Sequence, residues 1–195
     1  MNIAVLAVQG AFAEHINKLK KLGADCIELR QASDLEQDFD GLILPGGEST
    51  VQRKLLRELH LFNPLREKIG QGLPVLGTCA GLILLAREIS NDGDVCFGTL
   101  PVRVQRNAYG RQLGSFHAEE DFKGIGRVPM TFIRAPYIES VLSDENGHSD
   151  EEVLAKADGR IVAVRWRNQI GIAFHPELDE DDRIHEMFLG MCGKG

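Results

Sequence analysis

Through the first half of the chain, short apolar runs without alternation are each followed by apolar residues recurring every three or four positions. The first run is Asn2-Ile3-Ala4-Val5-Leu6-Ala7-Val8, with the length and β-former content of a strand buried on both faces. Gln9-Gly10 closes it. Phe12, Ile16, Leu19 and Leu22 then share a helical face, and Gly23 ends that helix. Cys26-Ile27-Glu28-Leu29 and Gly41-Leu42-Ile43-Leu44 predict two more strands, the latter stopped by Pro45-Gly46-Gly47-Glu48-Ser49-Thr50. Ser49 or Thr50 is placed to cap the next helix, whose apolar positions are Val51, Leu55, Leu56 and Leu59. A further helical stretch around Leu65 and Ile69 leads to the run Leu73-Pro74-Val75-Leu76, and a helix is predicted over residues 82–89.

The second half patterns differently. Leu100, Val102 and Val104 alternate with polar residues, as in a half-exposed strand. Met130-Thr131-Phe132-Ile133 predicts another strand, ending at Arg134-Ala135-Pro136. Residues 153–157 and 161–164 flank Asp158-Gly159 and read as a tight hairpin. Ile170-Gly171-Ile172-Ala173-Phe174 is a last strand, broken by His175-Pro176-Glu177, and a final helix carries Ile184, Phe188 and Met191 behind an acidic start. The loop over residues 143–150 is polar. The expectation is an α/β fold: a mainly parallel central sheet with helices on both faces, and an added antiparallel portion in the second half. Ligands of such sheets bind beyond the carboxyl ends of the strands, which brings Gln9-Gly10, residues 45–50 and Cys79 to one edge.

Cys79 stands in Gly77-Thr78-Cys79-Ala80-Gly81, between an apolar strand and a helix. That is the geometry of a nucleophile elbow carrying a thiol. The two glycines remove Cβ atoms where strand and helix approach, and the helix N-terminus suits a sulfur anion. A thiolate nucleophile needs a base, itself oriented by a third group. Of the six histidines (His15, His60, His117, His148, His175 and His185), only His175 directly follows a strongly apolar strand and has a carboxylate two residues on. Glu177 at that spacing can fold back onto the imidazole. Attack on a carbonyl builds negative charge on oxygen, for which the N–H groups of Gly47 and Ala80 form the expected oxyanion hole. His117-Ala118-Glu119-Glu120 alternates along a strand with no second cluster to complete a metal site, and the remaining histidines read as surface or structural residues.

Length, charge and cysteine count narrow the setting. The 195 residues suit one domain with an ample core, and the net charge of −7 with no basic stripe argues against nucleic acid. Cys26, Cys79, Cys96 and Cys192 include no C-x-x-C pair, so reduced thiols and a cytoplasmic location are expected. The first apolar run is too short for a membrane span and lacks a basic leader.

Three motifs, Gly-Thr-Cys-Ala-Gly, Pro-Gly-Gly-Glu-Ser-Thr and Phe-His-Pro-Glu, resemble the triad-type (class I) glutamine amidotransferases. Val8-Gln9-Gly10, Glu14-His15, residues 44–50, Arg106-Asn107-Ala108-Tyr109-Gly110-Arg111-Gln112, Ser115-Phe116 and Phe132-Ile133-Arg134-Ala135-Pro136 more narrowly resemble the glutaminase subunits of pyridoxal 5'-phosphate synthase. The resemblance implies a flavodoxin-like three-layer sandwich. It implies hydrolysis of L-glutamine to glutamate and ammonia by Cys79, His175 and Glu177, with Gly47, Glu48, Ser49, Arg106, Ile133 and Arg134 lining the glutamine pocket. A synthase subunit is implied as hetero-oligomeric partner, receiving the ammonia for vitamin B6 synthesis; no cofactor or metal is implied. Two local departures are Val51, where a second Thr is common, and a slightly extended segment near residues 146–150. Alternatives are the glutaminase subunit of another synthase, in purine or histidine synthesis, a free γ-glutamyl hydrolase, or a silent binding module on the same scaffold.

Overall fold

A computed structural model describes residues 1–90, 93–107, 114–143 and 151–193. The first half builds β1 (Asn2–Leu6), α1 (Phe12–Lys21), β2 (Asp25–Leu29), β3 (Gly41–Leu44), α2 (Ser49–Glu58), α3 (Phe62–Gly70), β4 (Val75–Thr78), α4 (Ala80–Leu85) and β5 (Ala86–Ile89). The second half adds β6 (Leu100–Gln105), β7 (Ser115–Phe122), β8 (Gly126–Ile133), β9 (Tyr137–Val141), β10 (Glu152–Ala157), β11 (Arg160–Trp166), β12 (Gln169–Ile172) and α5 (Arg183–Cys192). Five strands run parallel in the order β2-β1-β3-β4-β12, the order of flavodoxin-like sheets. Beyond β12 the sheet continues antiparallel through β11, β10, β7 and β8, while β9 pairs with both β11 and β6.

Alternation within β3 and β4 sorts the helices into two layers. A Cβ on Gly41 would meet Cys192 Sγ and Phe188 of α5, whereas Leu44, three residues on, lies under Gly81 of α4. Odd and even positions of a strand face opposite ways, so α4 and α5 cover opposite faces. Thr78 points away from α4 and hydrogen-bonds His15 of α1, which contacts His185 of α5. Helices α1 and α5 therefore share one layer. On the other face, neighbouring Gly77 and Gly171 form a flat seat for α4. A Cβ on either would come within 2.8 Å of α4 or of Leu100.

The helix expected over residues 82–89 is half right. It ends at Leu85, where Ala86 turns to φ −55°, ψ 137° and the chain runs on as β5 alongside β6. A continuous apolar run does not distinguish buried helix from buried strand. Neither Ser49 nor Thr50 caps α2; its N-cap is Glu48, with no side-chain capping bond. Strand β9, where no element is expected from the sequence, follows the Ala135-Pro136 stop. The Asp158-Gly159 hairpin forms, with φ of 48° and 74° at the turn. The extended segment near 146–150, His148 and Ala108 to Gln112 lie outside the described residues.

Asp182 is the N-cap of α5, yet its carboxylate caps nothing and reaches α1 instead. It accepts from Lys18 Nζ at 2.8 Å and also from Lys21. These bonds hold its carboxyl below the usual range. Because the folded value is the lower one, this contribution to stability is present above the ordinary carboxylate pKa and is lost as pH falls through the folded value. Asp182→Asn is therefore expected to melt below the wild type at pH 7. That difference should shrink below about pH 4; a gap unchanged down to pH 2.5 would contradict it.

Candidate active site

Four strand ends, those of β1, β3, β4 and β12, open onto one cleft of about 1030 Å³. Its walls include Gln9, Gly47, Glu48, Ser49, Cys79, Arg106, Ile133, Arg134 and His175. All six residues expected in a substrate pocket thus line the same cleft as the thiol and the imidazole.

Cys79 follows β4 with φ 49° and ψ −99°, a conformation costly for any residue with a Cβ, and α4 begins at the next residue. Its amide donates to the Ile172 carbonyl at 2.8 Å, locking the turn to β12. The strain is held by close packing beneath it: a Cβ on Gly81 would lie 1.9 Å from the Leu44 carbonyl oxygen. All four cysteines are free thiols. Burial pushes Cys96 up to about 11 and Cys192 up to about 12, and raises Cys26 as well. These three are inert thiols at neutral pH.

His175 begins the turn that breaks the chain after β12. Its amide donates to the Thr131 carbonyl of β8 at 2.8 Å, so the far end of the antiparallel sheet curls back to hold it. Its Nδ1 lies 2.7 Å from Glu177 Oε1, and the ring shares the cleft with Cys79. Burial alone would lower this imidazole; its hydrogen bonds and charge contacts with Cys79 and Glu177 outweigh burial and push it up to about 10. Glu177 is only 5% exposed. Burial would raise its carboxyl, but the neighbouring His15 and the hydrogen bond and charge of His175 hold it below the usual carboxylate range. Sulfur, imidazole and carboxylate thus gather at one sheet edge, the last two hydrogen-bonded.

The loop after β3 lies against this group. A Cβ on Gly46 would sit 2.3 Å from His175 Cε1, so only glycine fits beside the ring. The Gly46 amide donates to Thr78 Oγ1 at 3.1 Å and the Glu48 amide to Gln9 Oε1 at 2.8 Å. Among the described residues, none accepts from the Gly47 amide between them. Ala80, in the first turn of α4, contributes an amide from the unpaired end of a helix. Opposite, the Ile133 carbonyl oxygen lies 4.0 Å from Cys79 Sγ, and Arg134 has φ 44°, turning the chain at the cleft wall.

Sequence reasoning set His15 and His185 aside as surface or structural residues; both are fully buried, His15 beside Glu177 and His185 beside His15. The available signal was their position within the apolar faces of α1 and α5. His117 pairs with Thr131 Oγ1 at 2.9 Å, and that hydroxyl donates to Asp179 at 2.7 Å, bracing the turn that carries Glu177.

Known proteins share this whole arrangement of elements. The chain is 64% identical to the pyridoxal 5'-phosphate synthase subunit PdxT of Desulfitobacterium hafniense, over all of this chain and 95% of that protein. It is 52% identical to the PdxT subunit of Streptococcus pneumoniae, over 98% of this chain and 97% of that one. A solved structure described as a glutamine amidotransferase superposes with a TM-score of 0.90 at 41% identity, covering 98% of each chain. A chain of PurLQS from Thermotoga maritima, 13% identical with TM-score 0.63 over 97% of each chain, shares the fold. The SNO glutamine amidotransferase family matches residues 5–194, and this chain belongs to it.

Proposed function

We propose that this chain is the glutaminase subunit of a pyridoxal 5'-phosphate synthase, releasing ammonia from glutamine for a separate synthase subunit. The observation that carries the reading is that Cys79 and the Glu177-bonded His175 line one cleft together with all six expected substrate-pocket residues. The Cys79 sulfur attacks the side-chain carbonyl carbon of glutamine, and the developing oxyanion is met by the amides of Gly47 and Ala80. The C–N bond breaks as His175 gives its proton to the departing ammonia, leaving a γ-glutamyl thioester. His175 then takes a proton from water, which attacks the thioester; glutamate leaves and the sulfur is restored. Glu177 keeps Nδ1 of His175 protonated and stabilises the imidazolium. Arg106 and Arg134 supply positive charge for the substrate α-carboxylate, and Glu48 supplies negative charge for its α-ammonium, with Ser49 and Ile133 completing the pocket.

The relatives named PdxT support the partner assignment. The test is ammonia release from glutamine by this chain alone and with the synthase subunit from the same source. The expected result is slow release alone and a several-fold rise on mixing. Glutamine hydrolysis unchanged by the synthase subunit would point to a free glutaminase, and none in either case would overturn the reading.

A further inference from the structure

Behind the site lies a second set of groups with no place in the steps above. His15 and His185 are 0% exposed, and Glu177 is 5% exposed. His15 Nδ1 lies 2.9 Å from His185 Nε2; His15 Nε2 lies 3.1 Å from Thr78 Oγ1 and 3.4 Å from Glu177 Oε2. Glu177 Oε2 and His185 Nδ1 are buried with no hydrogen-bond partner among the described residues. Burial keeps both imidazoles neutral, lowering His15 against the pull of Glu177 and taking His185 down to about 2.

Two neutral proton arrangements fit the His15–His185 contact. If His15 carried its proton on Nδ1, the lone pair of Nε2 would face the carboxylate oxygen of Glu177, and the buried His185 N–H at Nδ1 would have no acceptor. An anionic oxygen would then have no donor at all, a costly state in a buried site. In the other arrangement His185 Nε2–H donates to His15 Nδ1, and His15 Nε2–H faces both Thr78 Oγ1 and Glu177 Oε2. What is left over is an imidazole lone pair at His185 and the Thr78 hydroxyl proton, while Glu177 Oε2 faces an N–H at 3.4 Å instead of a lone pair. Thr78 Oγ1 also accepts from the Gly46 amide, so the same hydroxyl joins this set to the loop over the thiol.

We infer that His15, fixed by His185 as the Nε2–H tautomer, is a positioning residue that holds the second carboxylate oxygen of Glu177, so that the first stays on His175. This rests on the glutaminase reading for its catalytic consequence but not for the tautomer itself. A carboxylate held at both oxygens cannot rotate or take up a proton when the imidazolium forms beside it. Hydrogen-bond partners one step behind metal ligands change activity by about 10–100-fold, and an effect of the same order is expected behind this carboxylate.

The test combines kinetics with spectroscopy on the full chain assembled with its synthase subunit. His15→Leu is expected to lower glutaminase kcat by about 10–100-fold with KM nearly unchanged. His15→Gln, whose amide can donate from the position of Nε2, should recover most of that loss. Folded Leu and Gln variants that both turn over like wild type would overturn the inference, as would a Leu loss that Gln does not rescue. Long-range proton–nitrogen NMR of the unmodified chain reads the tautomer independently: a neutral ring protonated on Nε2 is expected for His15. A ring protonated on Nδ1, or charged at pH 7, would overturn the inference even if the Leu variant failed to fold. Wild type inactive in the same assay, with His15 on Nε2, would sink the glutaminase reading and leave the tautomer standing.

Discussion

Cys79→Ala is expected to abolish ammonia release, by a factor of about 10³–10⁶, while leaving the fold in place. The thiol is the one group in the cleft that can form a thioester, and an imidazole with only water to activate cannot replace it. Circular dichroism and binding to the synthase subunit should match the wild type; turnover surviving in the alanine variant would remove the covalent mechanism. The same position yields a stability difference. At φ 49° and ψ −99° any Cβ is strained, so Cys79→Gly should be more stable than Cys79→Ala by about 1–2 kcal/mol, after the flexibility glycine adds to the unfolded chain. Denaturant titrations showing the glycine variant weaker than alanine would argue that this turn is relaxed.

The second large effect concerns stability rather than chemistry. Gly81→Ala places a methyl group 1.9 Å from the Leu44 carbonyl oxygen. The obstacle is backbone in the middle of the sheet, so no rotamer change relieves it, and α4 must lift from β3 and β4. Overpacking typically costs 1–3 kcal/mol, and with both sides of the contact rigid the upper end, about 3 kcal/mol, is expected. For a chain of this size that lowers Tm by about 6–12 °C. Cys79, at the start of the displaced helix, would lose its alignment with His175, and activity should fall even below the melting transition. A Gly81→Ala protein with wild-type Tm and kcat would show that the elbow has slack that this packing denies.

The parallel half of the fold was legible because buried strands read as unbroken apolar runs and the helices between them keep a 3.6-residue period. Gly77, Cys79 and Gly81 marked the elbow through their spacing alone, and His175 with Glu177 stood out at the end of the most apolar late strand. The antiparallel half was harder to read. Strand β7 shows exposed residues on one face and only partly buried ones on the other for most of its length, so its sequence, Ser115 to Phe122, offers little apolar signal. Strand β9 owes its place to pairing with β6 and β11, a long-range fact absent from its five residues. His15 was missed for a related reason. A polar side chain on the buried side of a helix becomes informative only once its distant partners, Thr78, Glu177 and His185, are known.

The insertion of β12 between β4 and β11 has a consequence for how the molecule is made. Residues 169–172 occupy an interior place in the sheet, yet they are synthesised after strands β1 to β11. Until they emerge, β4 is a bare apolar edge that invites pairing with other chains, and the thiol beside it has no base. A growing polypeptide therefore cannot finish this sheet from its N-terminus onward, and chemical competence arrives only with the turn after β12 that carries His175 and Glu177, so that a chain truncated before β12 would be an inert, adhesive product.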